Sequence, residues 1–221
     1  MRDGLRVFGW GAFVSAVIAL ILETVFLAAA MQIGPLYSYL TSRFSDPWTV
    51  FSFLIIAPFV EEASKALGVR SARLKVGSAT DGLVYGATAG LGFSAMENLL
   101  YGLTAWVALS QQGLDPSGSL VVIAVRSFSS SLLHASATAP VGYGMAKGWL
   151  SRRSHAVLPF YLLAVIMHGT FNFFTGLGQL YPGRLAGLED YIGFFAAVAF
   201  AVAAITIVRL KLVTRQAISV R

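Results

Sequence analysis

The chain has 221 residues, 57% of them hydrophobic and 12% charged, with a net charge of +6 and no cysteine. A soluble domain carries about 25% charged residues, so the composition places this chain in a membrane. The lack of cysteine excludes a disulfide framework and thiolate chemistry. Nucleic-acid binding is excluded too, because the basic residues sit in short stretches between apolar runs, where topology signals sit.

The first apolar run, 7–33, follows Arg2 and Arg6. A signal peptide has an apolar core of about 7–15 residues. This run is longer and contains Glu23, so it reads as a retained transmembrane helix with a structural Glu23. A loop is expected over Gly34 to Asp46. The second run, 48–67, carries Glu61, Glu62 and Lys65 near its end, with Pro58 three residues before the first glutamate. Proline removes a backbone donor, and in a membrane the freed carbonyl needs another partner.

The third run, 82–108, presents Gly82, Gly86 and Gly90 every four residues, then Glu97. That spacing is a small-residue face for close helix packing. Asp81 just before it reads as a cap or as a partner for the basic loop. The fourth run, 120–146, holds Arg126, a serine cluster and His134. Arg126 is expected to snorkel to the external boundary, and the serines to act as packing contacts. The fifth run, 157–177, holds His168 and Asn172, and the sixth, 191–210, is featureless.

The expected fold is therefore an all-α polytopic transmembrane bundle of about six helices forming one domain over 1–221. The N-terminus, second and fourth loops and C-terminal tail, counted with Arg209 at the end of the sixth run, hold twelve Lys and Arg residues, against Arg43 and Arg184 in the other loops. The positive-inside rule then makes both termini cytoplasmic. At 1.5 Å per residue, Glu97 lies about 22 Å, His134 about 20 Å and His168 about 15–20 Å from the cytoplasmic ends of their helices. The glutamate pair lies about 8–9 Å in. Ionisable groups at such depth cost roughly 2.5–3.5 kcal/mol each on insertion scales, which marks them as candidate functional residues.

Adjacent helical carboxylates point about 100° apart, so Glu61 and Glu62 have different duties. Lys65 is in reach of either one, which leaves the other as a candidate general base. Glu97, His134 and His168 supply the donor types that hold Zn2+ or another divalent metal. The same groups also suit a metal-free site that holds a water molecule and an oxyanion, with Asn172 as a donor. A Gly-x-Ser-x-Gly elbow and a His-Glu-x-x-His helix are both absent, so serine and zincin proteolysis lack their signals.

The motifs Glu61-Glu62-Ala63-Ser64-Lys65, Phe93-Ser94-Ala95-Met96-Glu97, His134 and His168-Gly169-Thr170-Phe171-Asn172 resemble those of the PrsW family. These are membrane proteases related to type II CAAX prenyl proteases. The resemblance implies a membrane-embedded endopeptidase in which Glu61 or Glu62 activates water and Glu97, His134, His168 and Asn172 complete the site. Prenyl proteases have His where this chain has Glu97, a departure that favours a metal-dependent variant or a protonated Glu97 and counts against prenylated substrates. The resemblance further implies a bacterial or archaeal cell membrane and a membrane-anchored protein or peptide substrate, an anti-sigma factor being the best-known example. Two other readings fit the composition: a non-catalytic scaffold subunit, and a proton- or cation-coupled transporter. The double glutamate argues against the first, and the lack of an internal repeat against the second.

Overall fold

The computed structural model describes residues 2–44 and 46–219, with side chains to Thr214. The tail residue Arg221 and the side chain of Arg215, both used in the topology argument, lie outside the described residues. Among these residues the secondary structure is helical, in eight helices. They are α1 (Arg2–Ala30), α2 (Gly34–Thr41), α3 (47–70), α4 (Ala79–Gln111), α5 (Gly118–Ser151), α6 (Leu158–Thr175), α7 (Leu177–Leu180) and α8 (Glu189–Ser219). Six are long, and they correspond to the six apolar runs.

Four helical spans, Arg2–Ala30, Gly118–Ser151, Ser154–Thr175 and Glu189–Thr214, are long and apolar enough to cross a membrane. Helices α3 and α4 are long enough but less apolar. Glu61, Glu62 and Lys65 lower the first, and Glu97, Asn98 and the glycines lower the second. Polarity in these two helices therefore marks where the chain spends its buried charge.

The expected loop at 34–46 is partly helical. Pro35 stands in the first turn of α2, where its missing N–H costs nothing and its fixed φ suits helix entry. Asp46 then caps α3 by accepting from the Thr49 backbone N–H at 3.2 Å. Ser78 and Asp81 form a reciprocal capping box at the start of α4, so Asp81 is a cap as the sequence indicates.

Helices α4 and α5 are antiparallel and form the centre of the bundle. A Cβ added at Gly82, Gly86 or Gly90 would run into the backbone carbonyls of Gly142, Thr138 and His134 respectively. The glycine face is thus used within the chain, and it draws α4 against the backbone of the residue that carries an imidazole. On the other side of α4, Gly92 meets the Phe8 carbonyl and Gly11 of α1 meets that of Ala89. The first run is thereby packed into the bundle as a helix of it. Gly90→Val is expected to destabilise the fold by about 1–3 kcal/mol through forced separation of α4 and α5. Gly4→Ala is the control, since nothing lies within 4 Å of its added Cβ. Thermal unfolding in detergent of the two variants checks both.

Helix α3 departs from α-helical register over Ser52–Ile56, a π-helical stretch ahead of Pro58. The Ala57 N–H bonds the Ser52 carbonyl, five residues back. The next bond in that register would run from residue 58 to the Phe53 carbonyl, and Pro58 has no N–H to give. Asn172 of α6 supplies the missing donor, its Nδ2 reaching Phe53 O at 2.7 Å. Tyr161 of α6 donates to the Phe59 carbonyl at 2.8 Å. A proline inside an apolar helix thus fixes α6 beside the double glutamate.

Candidate functional site

The five ionisable groups singled out by the sequence come together in one network. Lys65 Nζ is fully buried and lies 3.0 Å from Glu61 Oε2, 2.8 Å from Glu62 Oε1 and 2.7 Å from His134 Nδ1. The sequence argument expected Lys65 to take one glutamate and leave the other unpaired. Instead the ammonium bridges both, because positions 61 and 62 lie four and three residues before it, on the same flank of the helix. Phe93 closes the site over the ammonium, 4.3 Å from its ring centroid.

Burial separates the two glutamates. Glu62 is 0% exposed and fully bonded: Oε1 accepts from Lys65 and from His168 Nδ1 at 3.1 Å, and Oε2 accepts from Thr138 Oγ1 at 2.8 Å. Glu61 is 5% exposed and lines a cavity of about 490 Å³ together with Glu97, His134, His168 and Asn172. Its contacts to Lys65, His134 and His168 all fall on Oε2, leaving Oε1 without a hydrogen-bond partner among the described residues.

Each histidine is oriented by a carboxylate behind it. His168 Nδ1–H donates to Glu62, which turns Nε2 toward Glu61 Oε2 at 3.8 Å. His134 Nε2–H donates to Glu97 Oε2 at 3.0 Å, which turns Nδ1 toward Glu61 Oε2 at 3.9 Å. The bonds assign both tautomers. The inner nitrogens of two imidazoles therefore stand around one carboxylate oxygen, the His134 nitrogen bonded to Lys65, with a second carboxylate behind each ring.

That arrangement fits a divalent metal. The donor atoms of Glu61, His134 and His168 lie within 4.8 Å of one another. Ligands at about 2.1 Å around a tetrahedral centre stand about 3.4 Å apart, close to the 3.8 and 3.9 Å found here. Carboxylates behind ligating histidines are the usual support of such sites. The Lys65 ammonium bonds two of the three donor atoms, so an ion held there takes its place on them. The sequence reading grouped Glu97 with the histidines as ligands. The structure puts Glu61 in that group and Glu97 on the outer nitrogen of His134.

Arg126 does not snorkel outward. Its Nη2 lies 2.9 Å from Glu97 Oε2 and its guanidinium stacks 3.6 Å from the Tyr101 ring centroid. Ser130 Oγ adds a bond of 3.4 Å to the same Glu97 oxygen. The signal lies in the sequence: 126, 130 and 134 are four apart and share one face of α5. Ser131 packs between helices as expected, meeting Ser94 of α4 at 2.9 Å, while Ser129 bonds the Val125 carbonyl of its own helix. Asn172 lines the cavity, but its amide is occupied by the Phe53 carbonyl, so it first holds α3 and α6 together.

The cavity extends from Glu61 and His168 to Trp48, Thr104 and Thr175. Those three stand at the end of the bundle opposite the basic 70–75 and 147–153 stretches. A model of the PrsW family intramembrane metalloproteases matches residues 4–207. No curated protein and no solved structure matches the chain.

Proposed function

The chain belongs to the PrsW family of intramembrane metalloproteases, and from that premise we propose that it hydrolyses a peptide bond of a membrane-anchored protein at the Glu61–His134–His168 centre. The observation that carries this reading is the convergence of two carboxylate-backed imidazoles on Glu61 at the wall of a cavity inside the bundle. A divalent ion such as Zn2+ held by these three residues would polarise the scissile carbonyl and acidify a water molecule.

The chain's own groups divide the remaining work. Glu61 Oε1 accepts the proton of the attacking water, since Oε2 is engaged and Glu62 is sealed behind the site. Glu62 and Glu97 fix the tautomers of the two imidazoles and face them toward Glu61. Asn172 offers its second amide hydrogen to the developing oxyanion, the first being held by Phe53. Phe53, Leu100 and Phe171 give the cavity an apolar lining for a transmembrane segment. The substrate enters from the Trp48–Thr104–Thr175 end, which the positive-inside rule places outside the cytoplasm. A bacterial or archaeal cell membrane is the setting, and an anti-sigma factor is one substrate of suitable form.

The test is reconstitution in proteoliposomes with single-pass membrane peptides, with products read by mass spectrometry. The expected result is a defined cut that disappears on chelation and in His168→Ala. Intact peptides after incubation with zinc-supplemented wild-type protein would contradict the reading. Arg126→Gln is expected to lower kcat by up to about 10-fold, the low end of the loss when the support of a metal-ligating histidine is weakened, because Arg126 acts on His134 through Glu97. Arg126→Lys should recover part of it, because the charge on Glu97 returns without the planar stacking on Tyr101. Steady-state kinetics on the three proteins checks this.

A further inference from the structure

Glu23 is the ionisable group that the mechanism leaves unused. It stands on α1, seven residues before the helix ends, half-buried in the wall of the same cavity. Glu61, Glu97, Arg126, His134 and His168 also line that cavity, and each has an ionic or hydrogen-bonded partner within 3.9 Å. Glu23 has neither a hydrogen bond nor an ion pair among the described residues. Of the two cations nearby, Lys65 pairs with Glu61 and Glu62, and Arg126 pairs with Glu97 through Nη2 and stacks on Tyr101 while its Nε is unbonded among the described residues. A carboxylate at membrane depth costs roughly 2.5–3.5 kcal/mol, and no hydrogen bond or ion pair among the described residues offsets it.

We propose that Glu23 is a recognition site for a basic side chain of the substrate, a Lys or Arg flanking its transmembrane segment. The surroundings define this class. Ala16, Ala19, Leu20 and Leu27 of α1 line the cavity around Glu23, so they suit the apolar part of a peptide and offer no polar alternative. A charge-assisted bond is roughly twice as strong as a neutral one, which favours a cation over a backbone N–H. Glu23 also stands in the last third of α1, the part that leads on to α2 and Trp48, and lines the cavity with Trp48 and Thr104. Lys and Arg at the ends of membrane segments carry long apolar stems and a charged head, and such a residue reaches Glu23 while the apolar segment fills the wall. The inference rests on the peptidase reading of the same cavity and deepens it.

The test reads binding rather than turnover. A 20-residue apolar peptide with one lysine near one end, and its norleucine twin, are titrated in lipid nanodiscs against the chain carrying His168→Ala, which blocks cleavage. The lysine peptide is expected to bind about tenfold more tightly, the worth of one charge-assisted contact. Adding Glu23→Gln should erase the difference, and adding Glu23→Lys should transfer the preference to a glutamate-bearing peptide. An unchanged lysine preference in both double variants would overturn the inference. Cleavage by the otherwise wild-type chain, measured in parallel, separates the two readings. Lysine preference that depends on Glu23 without any cleavage supports the subsite and overturns the peptidase. Cleavage that ignores both the lysine and Glu23 does the reverse.

Discussion

Glu61→Gln is expected to remove nearly all peptide cleavage, by roughly 10²–10⁴-fold, the range for losing a positioned proton acceptor. Glutamine fills the same space and bonds the same neighbours through one oxygen, so the bundle should stay folded. What it lacks is the charge that pairs with Lys65 and a basic oxygen facing the cavity. Glu62→Gln should also lower activity, by a different route. Glu62 has no face on the cavity, and its carboxylate sets the tautomer of His168. The two variants are separated by thermal unfolding beside the rate. Glu61→Gln is expected to lose activity at nearly wild-type stability, whereas Glu62→Gln should lose stability as well, because three donors converge on that carboxylate. Equal activity of Glu61→Gln and wild type would remove Glu61 from the chemistry.

Lys65→Met is expected to have the largest effect on stability. The ammonium is fully buried and contacts Glu61, Glu62 and His134 at 2.7–3.0 Å. Methionine fills the volume and leaves two carboxylates facing each other without a counter-charge. Breaking a buried pair in this way costs about 3–5 kcal/mol, which for a chain of this size lowers Tm by roughly 10 °C. Lys65→Met combined with Glu62→Gln should recover part of that loss, since one uncompensated charge goes with the amide. A double-mutant cycle by thermal unfolding reads the coupling. A purely additive cycle would mean that the Lys65–Glu62 contact contributes nothing.

Much of the site was legible because charge inside an apolar run is costly and therefore rare. Glu61, Glu62, Glu97, His134 and His168 stand out on four runs, and their estimated depths already placed three of them in one layer. The glycine spacing at 82, 86 and 90 foretold close packing, though its partner, the His134 backbone, could not be read from one helix. Arg126 was read as a boundary residue because its pairing depends on α4 and α5 lying antiparallel in a register set by those glycines. The partner of Asn172 was hidden for a related reason. Pro58 announces an orphan carbonyl, but which carbonyl depends on the π-register of 52–56, and nothing in that apolar stretch signals it. The first run carried no motif beyond Glu23, yet α1 forms one wall of the cavity. Such a wall is defined by what stands opposite, not by its own sequence.

The measurement that bears most directly on the central claim is the metal content of the detergent-purified chain, taken beside its cleavage activity. The account predicts about one divalent ion per chain, lost in His134→Ala/His168→Ala and in Glu61→Ala. Glu97→Gln should keep the ion more weakly, because Glu97 supports a ligand without being one. A preparation that cleaves its substrate with no stoichiometric metal, or one that keeps its metal in His134→Ala/His168→Ala, would contradict it.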